Sequence, residues 1–490
     1  MADNRRWWAL VVIALAQLMV VLDMTIVNIA LPSAQADLNM SDGNRQWVIT
    51  AYTLAFGGLL LLGGRVADLV GRRRTFVIGL LGFAGASALG GAAGGPGMLF
   101  GARALQGVFA ALLAPSALSL LATTFTDPKD RSKAFGIFGA IIGAGAAVGL
   151  LAGGFLTQYL NWRWCLYVNI PIALVAFFGA MALLAPGERH PDARLDVPGA
   201  VLGSAGMLSL VYGFSEAESR GWRDSLVLAM LAAGVVLLAA FGWWQTRARV
   251  PLLPTSVVKD RQRIGAFLTV LLVTVGMFGV FLFLTYYLQG VLGWSPLKTG
   301  VAYLPMTVAM VVGSTQIAAR LLTRVPPRVV IVPGLLLAAG GLAVIAQVGV
   351  EPAYTTHVLP GMLMLGLGMS TAMMTSVSLA TGSVAPRDSG AASATFNTAQ
   401  QVGGSIGTAL LNTIAASVTA RYLTAHAAPG ADRRLLTAKA TVHGFNVATW
   451  WALGALLLAA LIAGTVVNAD RAPTPQSARE RTPEPVDSAL

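Results

Sequence analysis

The sequence predicts an all-α membrane protein of about fourteen transmembrane helices, on three observations. Hydrophobic residues make up 56% of its 490 positions and charged residues 11%, against roughly 25% charged in soluble domains. Apolar runs long enough to cross a hydrocarbon core of about 30 Å as helices follow one another along nearly the whole chain. Lysine and arginine collect in alternate gaps between those runs, which is the charge pattern of a multi-pass protein.

The runs fall at 8–31, 46–66, 75–94, 98–124, 133–159, 164–185, 197–215, 225–244, 264–292, 297–319, 329–349, 356–382, 389–417 and 444–468. The first contains the stretch Leu22-Asp-Met-Thr-Ile-Val-Asn-Ile-Ala-Leu-Pro32, with a carboxylate inside it. Near the middle of a membrane helix such a group costs about 2.5 to 3.5 kcal/mol, and is usually functional. The other acids fall in loops, tails or run ends, so Asp23 is the first candidate for carrying a proton. A cleavable leader fits this run poorly, because the run is long, holds Asp23 and is followed by many more.

Runs 2 and 3 are joined by Gly64-Arg-Val-Ala-Asp-Leu-Val-Gly-Arg-Arg-Arg74, where two glycines suit a tight turn, Asp68 can pair with arginine, and the arginines hold the loop at an anionic surface. Run 4 carries Arg103. Run 5 is a glycine ladder, Gly139, Gly143, Gly145, Gly149 and Gly153, which lets helix backbones approach closely. Run 7 is the weakest, ending in Ser215-Glu-Ala-Glu-Ser-Arg220. The longest inner segment, 245–263, follows run 8 and divides the chain into six runs, a pair, and six more. The expected parts are therefore 1–190, 191–262, 263–468 and a disordered tail, 469–490.

A repeat crosses that division. Asp130-Arg-Ser-Lys-Ala opens run 5 and Arg387-Asp-Ser-Gly-Ala opens run 13, where Gly403, Gly404 and Gly407 form a second ladder. Run 9 brings Phe278, Phe281, Phe283, Tyr286, Tyr287 and Gln289, enough aromatic surface to line an apolar pocket, although they point around the helix. In run 13, Asn397, Gln401, Ser405 and Thr408 share one stripe, with Gln400 beside it. That stripe faces water or a substrate, or hydrogen-bonds a neighbouring helix.

With the N-terminus inside, inner segments hold 23 of the 33 lysines and arginines and outer loops hold 9. Both termini are thus expected in the cytoplasm. Orientation also explains the net charge of +12 without nucleic acid as a partner. The single cysteine, Cys165, excludes an internal disulfide, and no spacing of cysteine or histidine resembles a metal site. Paired tryptophans at 7–8, 243–244 and 450–451, with Trp162 and Trp164, read as interfacial anchors. No Walker-type phosphate loop is present, so ATP drive is not expected; no cluster of catalytic or metal-binding groups and no ring of charge is visible, so neither an enzyme nor a channel is expected, and no cofactor.

The loop at 64–74 resembles the signature loop of the major facilitator superfamily, departing mainly at Leu69, where a basic residue is usual. Ala318-Ala-Arg-Leu-Leu-Thr-Arg324 is a degenerate echo in the second half. The stretch 22–32, Arg103-Ala-Leu-Gln-Gly107, and Asn161-Trp-Arg-Trp-Cys-Leu-Tyr-Val-Asn-Ile-Pro171 resemble the first-, fourth- and sixth-span motifs of its fourteen-span drug/proton antiporter branch. The resemblance implies two six-helix bundles plus two extra central helices, in a bacterial cytoplasmic membrane. It implies proton-driven export of hydrophobic or amphipathic drugs or antibiotics by alternating access; export of a physiological metabolite, siderophore or lipid is the alternative. A monomer is expected, with a small-molecule substrate, the bilayer as its surroundings and the proton gradient as energy source.

Roles follow from the same resemblance. Gly64, Asp68, Gly71 and Arg72 form a conformational loop. Gly145, Gly149, Gly153 and Gly154 lie on a gating helix, though Leu150 stands where proline is usual, which weakens the expected bend. Beside Gln106 of the fourth-span motif, the stripe residues Asn397, Gln400, Gln401 and Ser405 and the aromatics Tyr286 and Phe281, read from spacing and residue type alone, are expected to line the substrate cavity. The second half has no deep acid, so divalent cationic substrates are not expected.

Depth connects Asp23 to Arg103. Counting about 1.5 Å per residue from Trp8 and from Met98 places each roughly 8 Å from the outer face. In the superfamily both spans border the cavity, so Asp23 and Arg103 are expected to act together in proton coupling. The positive-inside count also places residues 418–442 outside, despite Arg421, Arg433, Arg434 and Lys439. Cysteines introduced there will react with an impermeant thiol reagent on intact cells; reaction only in inverted vesicles would reverse the topology.

Overall fold

The structure, a computed structural model, describes residues 2–125, 127–184, 196–248, 251–253, 259–322, 324–351, 354–381, 389–427 and 432–467. The expected tail, 469–490, and the 190/191 domain boundary lie outside the described residues. So do the side chains of Asp68, Phe278 and Ser405.

The long helices run in order as α1 Ala2–Asp37, α2 Trp47–Val70, α3 Arg72–Gly91, α4 Pro96–Thr124, α5 Pro128–Tyr159, α6 Asn169–Leu183, α7 Val197–Arg220 and α8 Ser225–Gln245. They continue as α9 Arg261–Tyr286, the interrupted α10 Pro296–Leu321, α11 Pro327–Ile345, α12 Leu359–Thr381, α13 Ser389–Ala425 and α14 Arg433–Val466. Among the described residues, twelve helices are long and apolar enough to cross a membrane. The second and fifth expected spans coincide with α2 and α5, whose side chains are described only in part.

Polar residues set where the helices begin. Asp196, Asp224, Asp260 and Asp432 each accept hydrogen bonds from the first free backbone N–H groups of the helix that follows. At the other extreme, α2 passes into α3 through Gly71 alone, at φ 100°, a conformation that glycine adopts without a Cβ penalty. Arginines then satisfy carbonyls left free at helix C-termini. Arg5 donates to Ala182 O at 3.0 Å and Arg73 to Met181 O at 2.7 Å, both on the last turn of α6. Arg261 does the same for Thr465 O on α14, at 2.6 Å.

Helices α1–α6 pack into one bundle and α9–α14 into another. The pair α7–α8 pack on each other, and α7 also lies against both α2 and α13. Asp196 fixes this pair. Its carboxylate takes Gly199 N at 3.0 Å, Trp244 Nε1 at 2.7 Å and Gln245 Nε2 at 2.8 Å, while Gln245 Oε1 accepts from Leu253 N at 2.9 Å.

The bundles meet along α2–α13 and α5–α10. At the end remote from the termini, Tyr286 Oη donates to Gln35 Oε1 at 2.8 Å under the Arg45 guanidinium, which sits 3.9 Å from the ring centroid. Asn412 Nδ2 donates to Gln46 Oε1 at 3.1 Å and Gln289 Nε2 to Ile29 O at 3.3 Å. Ile29 and Leu150 are part of the second bundle's apolar core, and Leu282 is part of the first bundle's. That end is closed.

The polar segment expected at 418–442 is mostly helix, because α13 continues to Ala425 and α14 starts at Arg433. Both helices extend past their apolar runs on polar residues that the sequence reading assigned to a loop. Close approach in the first bundle depends on Gly63, where any Cβ would overlap the Ala111 carbonyl of α4. Gly64, by contrast, has Pro115 Cβ as its nearest contact, at 3.7 Å. Gly63→Ala will therefore force α2 from α4 and destabilise by about 1 to 3 kcal/mol. Gly101→Ala, which has open space, will be close to neutral in the same thermal unfolding assay on the purified protein.

Candidate functional site: a buried charge pair

Five helices of the first bundle converge on one carboxylate. Asp23 and Arg103 are 0% and 2% exposed, and Arg103 Nη1 lies 2.5 Å from Asp23 Oδ2. The other carboxylate oxygen accepts from Gln106 Nε2 at 3.0 Å and Asn169 Nδ2 at 2.8 Å. Ser87 Oγ takes the remaining reach of both amides, at 2.7 Å from Gln106 and 3.3 Å from Asn169. Arg103 also donates through Nη1 to Gln106 Oε1 at 2.8 Å and through Nε to Val48 O at 2.9 Å. Its guanidinium carbon lies 4.5 Å from the Tyr52 ring centroid.

The local sequence makes this possible. Gly107, next to Gln106, lies so near α2 that a Cβ would overlap the Tyr52 carbonyl, so α4 brings Arg103 under the first turns of α2. Asn169 opens α6, and the same stretch supplies Trp162 and Arg163, which bind Asp37 at the end of α1 at 3.0 and 2.5 Å. One motif thus holds α1 by two acids. Two polar atoms beside the pair, Tyr52 Oη and Asn169 Oδ1, are buried without a partner.

The remaining expected residues lie elsewhere. Gln106, expected in the substrate cavity, is fully buried and donates to Asp23 and Ser87. Tyr286 sits in the closed end instead of a cavity. Gln401 is buried with its Cβ facing Gly57 of α2, while Asn397 and Gln400 are half-buried. The stripe on α13 thus faces α2, and one turn beyond Thr408 it reaches Asn412, the partner of Gln46.

Gly145, Gly149 and Gly153 of α5 face Leu18, Thr25 and Ile26 of α1, and Gly154 faces Leu297 of α10. The ladder therefore packs α5 between the bundles, on the turns that carry Asp23. Arg72 is half-buried at the start of α3.

Phe281 stacks on Tyr303 with centroids 4.4 Å apart. Together they border a narrow, nearly filled recess, with Met277, Met306, Met310 and Met369 among its lining. It lies between α9, α10 and α12 and has no charged residue in its walls.

The sequence reading missed Asn169 and Ser87 as partners of Asp23, and Gln35, Gln46 and Asn412 as inter-bundle contacts. For Asn412 a signal existed, since it continues the polar stripe by four residues. Ser87, in a helix of glycine and alanine, gave none.

The family model described as Major Facilitator Superfamily matches residues 13–408. The chain belongs to the major facilitator superfamily. It is 57% identical over 470 residues to the puromycin resistance protein of Streptomyces alboniger, covering 95% of this chain and 92% of that one. It is 38% identical to the cephamycin export protein of Amycolatopsis lactamdurans, over 84% of this chain and 85% of the relative. Among solved structures, a bacterial homolog of the human lysosomal transporter Spinster, in an inward-facing and unoccupied conformation, shares the fold. The TM-score is 0.66 at 16% identity, over 94% of this chain and 97% of the other. The protein is thus a multi-pass transporter of a bacterial membrane.

Arg103→Leu will leave the Asp23 charge buried without compensation and cost about 3 to 5 kcal/mol. Adding Asp23→Asn to it will recover much of that loss in thermal unfolding. Equal stability of the single and double variants would show that the pair does not balance charge.

Proposed function

We propose that this transporter exports hydrophobic or amphipathic antibiotics across the cytoplasmic membrane in exchange for protons, with fourteen spans and both termini in the cytoplasm. One observation carries the reading: the deep carboxylate is locked to Arg103 inside one bundle, while the other bundle offers an uncharged recess lined by methionines and stacked aromatics. Methionine adapts its shape to varied apolar ligands, and such a lining suits compounds without a strong positive charge. The antibiotic resistance and export proteins to which the chain is similar support the same direction.

In this proposal the closed end faces outward, and alternating access opens it by rocking the bundles. The pair reaches that gate through α2. Arg103 holds Val48 O, two residues from Gln46, which binds Asn412 of the other bundle, and three from Arg45, which covers Tyr286. Protonation of Asp23 removes the charge that orients Arg103. The guanidinium is then free to leave Val48, and the first turn of α2 loses its anchor. The proton is taken from the outer side as the gate opens, and reclosing restores the pair and releases the proton to the cytoplasm, so that it moves inward in exchange for drug. Gly71 and the neighbouring arginines keep the other end of α2 attached to α3 and α6 during the movement.

The test is a susceptibility panel headed by puromycin in a pump-deficient host, with and without an uncoupler. Asp23→Asn will express and bind drug but lose at least tenfold in proton-driven efflux. Efflux by that variant at the wild-type rate, under a proton gradient alone, would remove Asp23 from the mechanism.

A further inference from the structure

A carboxylate that carries a proton needs different neighbours in its two states. Ionised, it only accepts hydrogen bonds; protonated, it has an O–H to donate, and burying that hydrogen without an acceptor is costly. The three side chains bonded to Asp23 all donate to it, Arg103 to Oδ2 and Gln106 and Asn169 to Oδ1. They satisfy the ionised form.

Of these three, Asn169 alone has an acceptor to spare. A guanidinium has no acceptor atom. Gln106 is fixed as a donor, because its Oε1 takes Arg103 Nη1 at 2.8 Å and a turned amide would set N–H against N–H. Asn169 is fully buried and its Oδ1 has no partner, so nothing on that side resists its turning once Asp23 is protonated. Half a turn about its Cβ–Cγ bond exchanges Oδ1 and Nδ2 in nearly the same space. The amide oxygen then stands where Nδ2 stands now, 2.8 Å from Asp23 Oδ1 and 3.3 Å from Ser87 Oγ. Ser87, which accepts in the ionised state, can rotate its hydroxyl hydrogen toward the same oxygen.

The other groups that face Asp23 do not compete. From α2, Tyr52 is near enough to feel its charge, yet the Tyr52 hydroxyl is unpaired and so lies outside hydrogen-bond reach of the carboxylate. From the turn before α6, Cys165 is also near, and its Sγ pairs with Thr157 Oγ1 at 3.3 Å. At this level α5 brings Gly149 against Leu22 of α1.

We infer that Asn169 is the hydrogen-bond acceptor of protonated Asp23, its amide turning with the proton state of the acid. The inference rests on the proton-coupled reading of the transporter and deepens it. The incoming proton binds Oδ1, since Arg103 covers Oδ2. One O–H bond forms, Asp23 becomes neutral, and the hydrogen is donated to Asn169 Oδ1 while Gln106 Nε2 still donates to the same Asp23 oxygen. Release breaks that O–H bond, the proton leaves, and Asn169 turns Nδ2 back to the carboxylate. The acid thus has its partner before Arg103 moves.

The full-length transporter in liposomes is titrated by infrared difference spectroscopy, unlabelled and with 13C at the side-chain carbonyl of asparagine or of glutamine. Acidification will produce an acid C=O band that Asp23→Asn removes. The asparagine amide C=O band will move to lower frequency as its oxygen takes the hydrogen bond. Asn169→Leu will abolish the amide change and raise the acid band toward that of a free acid, and at equal protein level will lower proton-driven efflux about tenfold. The amide shift is read in the wild-type protein, so it decides the matter even where the leucine variant does not fold. No acid band, an acid band without the downward asparagine shift, the downward shift in the glutamine-labelled protein instead, or an acid band that Asn169→Leu leaves in place each overturns the inference. Uncoupler-sensitive efflux that requires Asp23 but shows no asparagine shift sinks the inference alone. The asparagine shift in a protein whose efflux ignores the uncoupler sinks the export reading and leaves the role of Asn169.

Discussion

A carboxylate buried in the membrane has to be compensated where it stands, and Asp23 draws the first bundle together for that reason. Arg103 supplies the opposite charge, Gln106 and Asn169 supply donors to the second oxygen, and Ser87 accepts what their amides have left. Water is absent from a hydrocarbon core, so each of these groups must find its partner inside the protein. The result is a set of hydrogen bonds that fixes the relative positions of α1, α2, α3, α4 and α6. Only α5 of that bundle stands outside the network, and it is held to α1 by glycine contacts and, at its start, by the ion pair of Arg6 with Asp130 at 2.9 Å.

That difference separates what is fixed from what slides. Polar bonds are directional and hold one register, whereas a glycine face packs by shape and tolerates small shifts. The α5–α10 contact is mostly of the second kind: Gly154 lies on Leu297 and Gly300 on the Leu150 backbone, with one hydrogen bond, from Leu297 N to Gln158 Oε1 at 3.3 Å. Across α2 and α13 the contact is mixed, with Asn412 and Gln46 bonded at the closed end and Gln401 on Gly57 nearer the middle. The interface between the bundles therefore has few directional bonds, and the described ones concentrate at one end.

Much of the architecture was legible because membrane helices announce themselves by length and apolarity, and arginine placement by gap. The meeting of Asp23 with Arg103 was legible too, since helix rise converts residue counts to depth. Depth says nothing of rotation about the helix axis, and that is where the reading failed. Gln106 is one turn from Arg103 and so shares its face, toward Asp23. Tyr286 and Phe281, both assigned to the cavity, part company for the same reason, one reaching Gln35 and the other stacking on Tyr303. Ser87 was silent because a single small polar residue in a glycine- and alanine-rich helix is ordinary until its neighbours are known; Asn169 stood in the 161–171 motif, but its spacing did not aim it at Asp23.

The two bundles differ in one further respect that bears on their division of labour. Among the described residues the π turns all fall in the second bundle: Tyr287–Val291 after α9, Gly313–Ala318 within α10, and Tyr354–Val358 before α12. These are the three helices that border the methionine-lined recess. A π turn gives up regular hydrogen bonding and leaves the helix easier to deform, and such turns recur at functional sites. The charge pair needs the opposite property, since a displacement of about 1 Å would strip a buried carboxylate of its donors. A rigid bundle around the acid and a compliant one around the apolar recess are each what the chemistry of their contents requires. The start of α2 touches both halves: Val48 O accepts from Arg103, and Gln46 Oε1, at the N-cap, accepts from Asn412 of the other bundle.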